Sequence, residues 1–212
     1  RGCRLISGVC NTASAKALRT IQQRDLPMLD PSRRVLGIIR PTAETIGNLT
    51  ESRHIGVLAT EGTIKSQSYS MEIHKLFPDI HVSGVACPLW AAIVEAGEAD
   101  SPGADYFVKK RIDQLMRKDP LIDTIILGCT HYPLLMSSVV KNVPKGVRIM
   151  SQGTYVANSL ADYLKRHPEM ERNITQGGTC RYLTTESEQR FSETARIFLH
   201  EDVMVNHVDL TE

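Results

Sequence analysis

Two cysteine blocks in this chain repeat one pattern. Val9-Cys10-Asn11-Thr12-Ala13-Ser14-Ala15 lies near the start, and Leu127-Gly128-Cys129-Thr130-His131-Tyr132-Pro133-Leu134-Leu135 lies well past the middle. In each, a cysteine closes an apolar run of strand length, small hydroxyl or amide residues follow, and a helical pattern comes next. A thiol so placed sits beside a helix N-terminus, where the positive end of the dipole favours the thiolate. Two such thiols facing one pocket can act on opposite faces of a substrate. His131, two residues beyond Cys129, can polarise that thiol or exchange a proton with it. A third strand exit, Ala59-Thr60-Glu61-Gly62-Thr63-Ile64-Lys65-Ser66, adds hydroxyls and backbone amides. Thr60 or Thr63 is suited to cap the helix that follows, and the same geometry receives a carboxylate.

The other cysteines lack such neighbours. Cys87 is followed by Pro88 and Leu89 and reads as structural, and Cys3 and Cys180 stand without supporting residues. Five cysteines with no CxxC pair, and no His cluster at metal spacing, weigh against a disulfide framework and a structural zinc site. No GxGxxG or GxxxxGK[ST] loop supports nucleotide chemistry, and no GxSxG elbow supports a serine hydrolase. What remains is a thiol site without metal or cofactor.

Length and composition are those of an ordinary globular protein, enough for one large domain or two smaller ones with real cores. The chain has 212 residues, 42% apolar and 23% charged, and a formal net charge of +1, which weighs against a dedicated nucleic-acid binder. Lys109, Lys110, Arg111 and Arg117 read as the solvated face of one helix. No stretch reaches the roughly 18 apolar residues of a membrane span, and the first ten residues turn polar too soon for a signal peptide, so a cytoplasmic protein is expected. The chain opens without Met and runs almost at once into an interior-type strand, so an N-terminal portion is expected to be missing.

Strand-length apolar runs alternate with helical patterns, as in βαβ units around parallel sheets. Strands are expected at Leu5–Val9, Val35–Ile39, Ile55–Leu58, Val82–Ala86, Thr124–Leu127, Val147–Met150, Arg181–Leu183 and Val203–Leu210. Helices are expected at Ser14–Gln23, Ile64–Phe77, Ala104–Lys118, Leu134–Asn142, Thr154–Leu164 and Glu186–Leu199. Turn-rich stretches at Pro27–Arg34 and Asn142–Val147 suggest two crossings between lobes. Residues 1–34 and 147–212 would then form an outer lobe, and 35–146 a middle one.

The two cysteine blocks strongly resemble the paired motifs of glutamate racemases in the aspartate/glutamate racemase family, and Gly56-Val57-Leu58-Ala59-Thr60 through Ser66 fits the segment between them. The resemblance runs over essentially the whole chain. It implies two similar Rossmann-like lobes, with mostly parallel sheets flanked by helices and an active site in the cleft between them. It further implies interconversion of L- and D-glutamate without metal or pyridoxal phosphate, supplying D-glutamate for peptidoglycan. Cys10 and Cys129 would be the two acid/base residues, and an ordinary thiol titrates near ~8.5, so one must be held ionised. Asn11, Thr12, Thr60, Thr63 and Thr130 would bind the substrate's carboxylates and ammonium. His131 would support the second cysteine, and Glu95 aligns with an acidic residue near that thiol, although Ala91-Ala92 departs from the bulkier pattern there. The Asp-Ser-Gly and Pro-Tyr-Gly segments expected ahead of the first cysteine do not occur in this chain. Neither a nucleic acid nor a membrane is an expected partner, and a homodimer is one possible assembly. The competing expectations are an aspartate or related racemase, and a truncated, non-catalytic amino-acid-binding protein.

Overall fold

The computed structural model describes residues 2–209. Its spine is a four-stranded parallel sheet ordered β4-β3-β5-β6, formed by β3 (His54–Ala59), β4 (His81–Ala86), β5 (Thr124–Gly128) and β6 (Arg148–Ser151). The runs His54–Ala59 and Thr124–Gly128 are almost continuously apolar because both faces of the sheet are covered. Leu58, Ile125 and Leu127 pack one layer against Trp90, Val108, Ile112, Leu115 and Val139. Ile55, Val57, Ala59 and Ile126 pack the other against Ile46, Tyr69 and Ile73. Period-two alternation thus feeds two cores from each central strand.

Two smaller sheets flank this spine: β1 (Leu5–Gly8) pairs with β2 (Arg34–Gly37), and β7 (Tyr182–Thr184) with β8 (Val205–His207). Every strand pair among the described residues is parallel. The helices are α1 (Asn11–Lys16), the short α2 (Leu18–Thr20) and α3 (Leu26–Leu29) joined by a π-helical turn, α4 (Ile39–Ile46), α5 (Glu61–Ser66) and α6 (Ser68–Leu76). They continue as α7 (Trp90–Glu95), α8 (Pro102–Lys118), α9 (Met136–Asn142), α10 (Gln152–Arg166), α11 (Pro168–Glu171) and α12 (Glu188–Leu199).

Several elements differ from expectation for identifiable reasons. The single helix expected over Ile64–Phe77 is two, because Gln67 adopts a left-handed φ of 54° between α5 and α6. Ile39 begins α4 rather than ending a strand, and Pro41 is tolerated there because a first-turn residue needs no intrahelical N–H bond. The expected strand Val203–Leu210 is confined to Val205–His207, and Leu210 lies outside the described residues. Sheet membership departs from a division after residues 34 and 146: β2 hydrogen-bonds to β1 and β6 to β5, so the crossings between sheets follow those strands.

At the base of β5, Asp123 clamps the loop leading into β3. Its carboxylate accepts hydrogen bonds from the Thr50 hydroxyl at 2.7 Å, the Glu51 and Ser52 backbone N–H groups at 2.6 Å each, and the Thr124 hydroxyl at 3.0 Å. Burial alone would raise the carboxyl, but these four donors bring it down to about 2.

Candidate active site

The sheets deliver their polar residues at the carboxyl ends of parallel strands, where open α/β sheets place ligand sites. Cys10 follows β1, Thr60 follows β3, Cys129 follows β5 and Gln152 follows β6. Register ties two of these together, since Ala59 pairs with Gly128, each directly before a site residue. Gly128 is required there: a Cβ would lie 3.0 Å from Ala59 Cβ and 3.3 Å from a ring carbon of Tyr69.

Cys129, His131 and Glu95 form a chain of contacts. His131 Nδ1 lies 3.8 Å from Cys129 Sγ, and its Nε2 lies 2.9 Å from Glu95 Oε1. Glu95 is exposed at the end of α7, while His131 is half-buried and meets the Phe198 ring of α12 edge-on, with centroids 5.2 Å apart. Burial pushes the Cys129 thiol up, against the backbone N–H groups of His131 and Thr130, which stabilise its thiolate. Negative charge on Cys10 and on Glu95 raises it further.

The resemblance calls for one thiol held ionised, and the two cysteines sit in different settings. Cys10 does occupy the N-cap position of α1 and is exposed. Cys129 is instead followed by the 3-10 turn Tyr132–Leu135, and desolvation outweighs the donors around it. Cys87 is buried and its thiol is driven far up by burial, as befits a structural cysteine.

Thr12, Thr60 and Thr63 converge into a hydroxyl triad. Their Oγ1 atoms lie 2.8 Å apart for Thr12 and Thr60, 3.1 Å for Thr60 and Thr63, and 3.3 Å for Thr12 and Thr63. Thr60 also caps α5, accepting the Thr63 backbone N–H at 3.4 Å. Each hydroxyl can rotate to donate to a carboxylate oxygen. Thr130 is exposed and acts on Cys129 through its backbone.

Asn11 is turned away from this group into a buried polar network with Tyr69, Gln152 and Thr42 that sequence reasoning missed. The rule that found Cys10 and Cys129, a polar residue directly after an apolar run, stops at Ser151, one residue short of Gln152. Among the described residues no cluster of His, Cys, Asp or Glu is arranged to hold a metal ion, and no helix is long and apolar enough to cross a membrane. A cavity of about 400 Å³ lies elsewhere, between α1, α4, α6 and α10, and neither Cys10 nor Cys129 lines it.

An α/β fold of parallel sheets, with Cys10, Thr60 and Cys129 at its strand exits, sets the class of this protein. The Asp/Glu/Hydantoin racemase family model matches residues 2–160. The glutamate racemase of Ruegeria sp. (strain TM1040) is 37% identical over 96% of this chain and 76% of its own length. That of Listeria monocytogenes serotype 4a is 34% identical over 99% and 76%. Among solved structures, a glutamate racemase isoform from Bacillus anthracis superposes with a TM-score of 0.85 at 33% identity, covering 98% of this chain and 74% of that one. The glutamate racemase from Francisella tularensis in complex with D-glutamate gives 0.82 at 25% identity over 98% and 74%. The chain belongs to the Asp/Glu/Hydantoin racemase family, and it is an α/β racemase.

Proposed function

We propose that the protein racemises glutamate, with Cys10 and Cys129 as its two acid/base residues, and that it works in the cytoplasm supplying D-glutamate for peptidoglycan. The thiolate of one cysteine takes the α-proton, breaking the C–H bond and forming S–H. The thiol on the opposite face then gives up its proton to the α-carbon, so the configuration inverts with no net redox change. The two cysteines exchange protonation states in each turnover, and the enantiomer bound decides which is the base. The Thr12, Thr60 and Thr63 hydroxyls would hold a carboxylate and stabilise the charge that builds on it as the proton leaves. His131, oriented by Glu95, would serve as proton partner of Cys129.

The observation carrying this reading is geometric: Thr12, two residues after Cys10, meets Thr60 at 2.8 Å, and Ala59, just before Thr60, pairs with Gly128, just before Cys129, which supports two thiols opening toward one site although they leave different sheets. Relatives that are glutamate racemases over nearly the whole chain support the substrate. The test is incubation with L-glutamate in D2O, following α-deuterium and D-glutamate together. Exchange with inversion is expected without added pyridoxal phosphate or metal; inversion of aspartate in its place would overturn the substrate, and a need for either cofactor the mechanism.

A further inference from the structure

Behind Cys10 the polar side chains close into a ring. Asn11 Nδ2 donates to Gln152 Oε1 at 2.8 Å, Gln152 Nε2 donates to Tyr69 Oη at 2.7 Å, and Tyr69 Oη donates to Asn11 Oδ1 at 2.6 Å. The second N–H of Gln152 reaches Thr42 Oγ1 at 2.7 Å, and Thr42 donates in turn to the Ile38 carbonyl at 2.7 Å. The ring has a fixed sense: each amide both gives and receives, and the tyrosine hydroxyl does the same. Asn11 and Tyr69 are 3% exposed, Gln152 7% and Thr42 0%, so water cannot replace a missing member cheaply. Burial raises the Tyr69 phenol, which keeps its donor proton in place. Four helices meet here, with Asn11 opening α1, Gln152 opening α10, Thr42 on α4 and Tyr69 on α6.

Asn11 is the residue directly after Cys10, so whatever fixes its carboxamide fixes the turn that carries the thiol. We propose that Tyr69 and Gln152 are positioning residues for the racemase reaction: they lock Asn11 and thereby aim Cys10 at one face of the substrate. This rests on the assignment of Cys10 as an acid/base residue. A ring built only for stability would carry no preference between the two faces.

Tyr69→Phe removes one hydroxyl from the ring and keeps the aromatic packing. A shift of about 1 Å in a reacting group costs on the order of 10²-fold, so kcat/KM is expected to fall about 10- to 100-fold. Equilibrium requires the same fall for both enantiomers. The primary deuterium isotope effect is not so bound: it should rise for the α-deuterated enantiomer that Cys10 deprotonates and shrink for the other, in a protein that still unfolds cooperatively although several degrees below the parent, since buried ring partners lose their bond. Equal isotope effects in the variant and the parent, or undiminished turnover, would overturn the proposal. Gln152→Leu is the second variant, expected to give the same asymmetry. Should the unsubstituted protein fail to racemise, the proposed function fails separately, and alkylation by iodoacetamide decides the positioning role. The modification rate of Cys10 relative to the exposed Cys180, followed by mass spectrometry, is expected to change several-fold in Tyr69→Phe. An unchanged ratio would overturn it.

Discussion

Replacing Asp123 by Asn tests the clamp at the base of β5. The native carboxyl titrates at about 2, against ~3.9 for an unperturbed aspartate. At about 1.36 kcal/mol per unit, the ionised carboxylate contributes roughly 2.5 kcal/mol to folding. The folded pKa is depressed, so this contribution is fully present above about pH 5 and is lost as pH falls toward 2. About half of it should remain at pH 3. Asn keeps the shape and one acceptor but places an amide N–H near groups that donate to Asp123, so the full loss is expected at neutral pH. Urea unfolding of parent and variant can be followed through the fluorescence of Trp90, the single tryptophan, which is 1% exposed and edge-on to Tyr132. The stability difference should be about 2 to 3 kcal/mol at pH 7 and shrink to roughly half at pH 3. Because other carboxylates titrate in both proteins, the difference isolates Asp123. A difference equal at the two pH values would show that the carboxylate's charge is not what the clamp uses.

Other expectations concern the thiols and their partners. Cys10→Ala and Cys129→Ala should each abolish racemisation with modest changes in unfolding temperature, whereas Cys87→Ala should lower stability by about 1 kcal/mol and keep turnover; similar loss of activity in Cys87→Ala with intact folding would mean the thiols are misassigned. Glu95→Gln removes a negative charge that raises the Cys129 thiol, so the limb of the pH–rate profile belonging to Cys129 should move to lower pH. The same change should barely alter stability, because an exposed Glu–His pair contributes about 0 to 1 kcal/mol; a limb moving to higher pH would contradict the assignment. Thr63→Val deletes one hydroxyl of the triad while leaving Thr60 as the cap of α5, so KM should rise with the unfolding temperature nearly unchanged, and a KM equal to the parent's would argue against carboxylate binding by the triad.

Much of this architecture is legible in the chain because buried parallel strands write themselves as unbroken apolar runs. The runs at His54–Ala59 and Thr124–Gly128 appear within a residue or two of their observed ends. The residues flanking them identify the thiols and the threonines, since a polar residue after such a run must emerge at the sheet's carboxyl edge. The ring of Asn11, Tyr69 and Gln152 is hidden because it closes only in three dimensions: Tyr69 reads as one more apolar position of α6, and Gln152 as a surface amide. The contact of Phe198 with His131 is likewise invisible to periodicity, which places an aromatic on α12 without saying what it covers. The state of Cys129 is illegible for a related reason, since desolvation depends on the layers above it and helix-start chemistry says nothing of them.

Strand β5 carries Asp123 at its entrance and delivers Cys129 at its exit, with five consecutive buried residues between. Hydrogen bonds at the entrance set how firmly the sheet holds together, and groups at the exit set what it does. The interior between them feeds both cores and fixes the distance from one end to the other. Substitutions at the entrance can therefore raise or lower stability without reaching the chemistry, and changes around Cys129 can retune reactivity without loosening the fold. A lineage carrying this strand can adapt to temperature at one end and to substrate at the other, each in its own time.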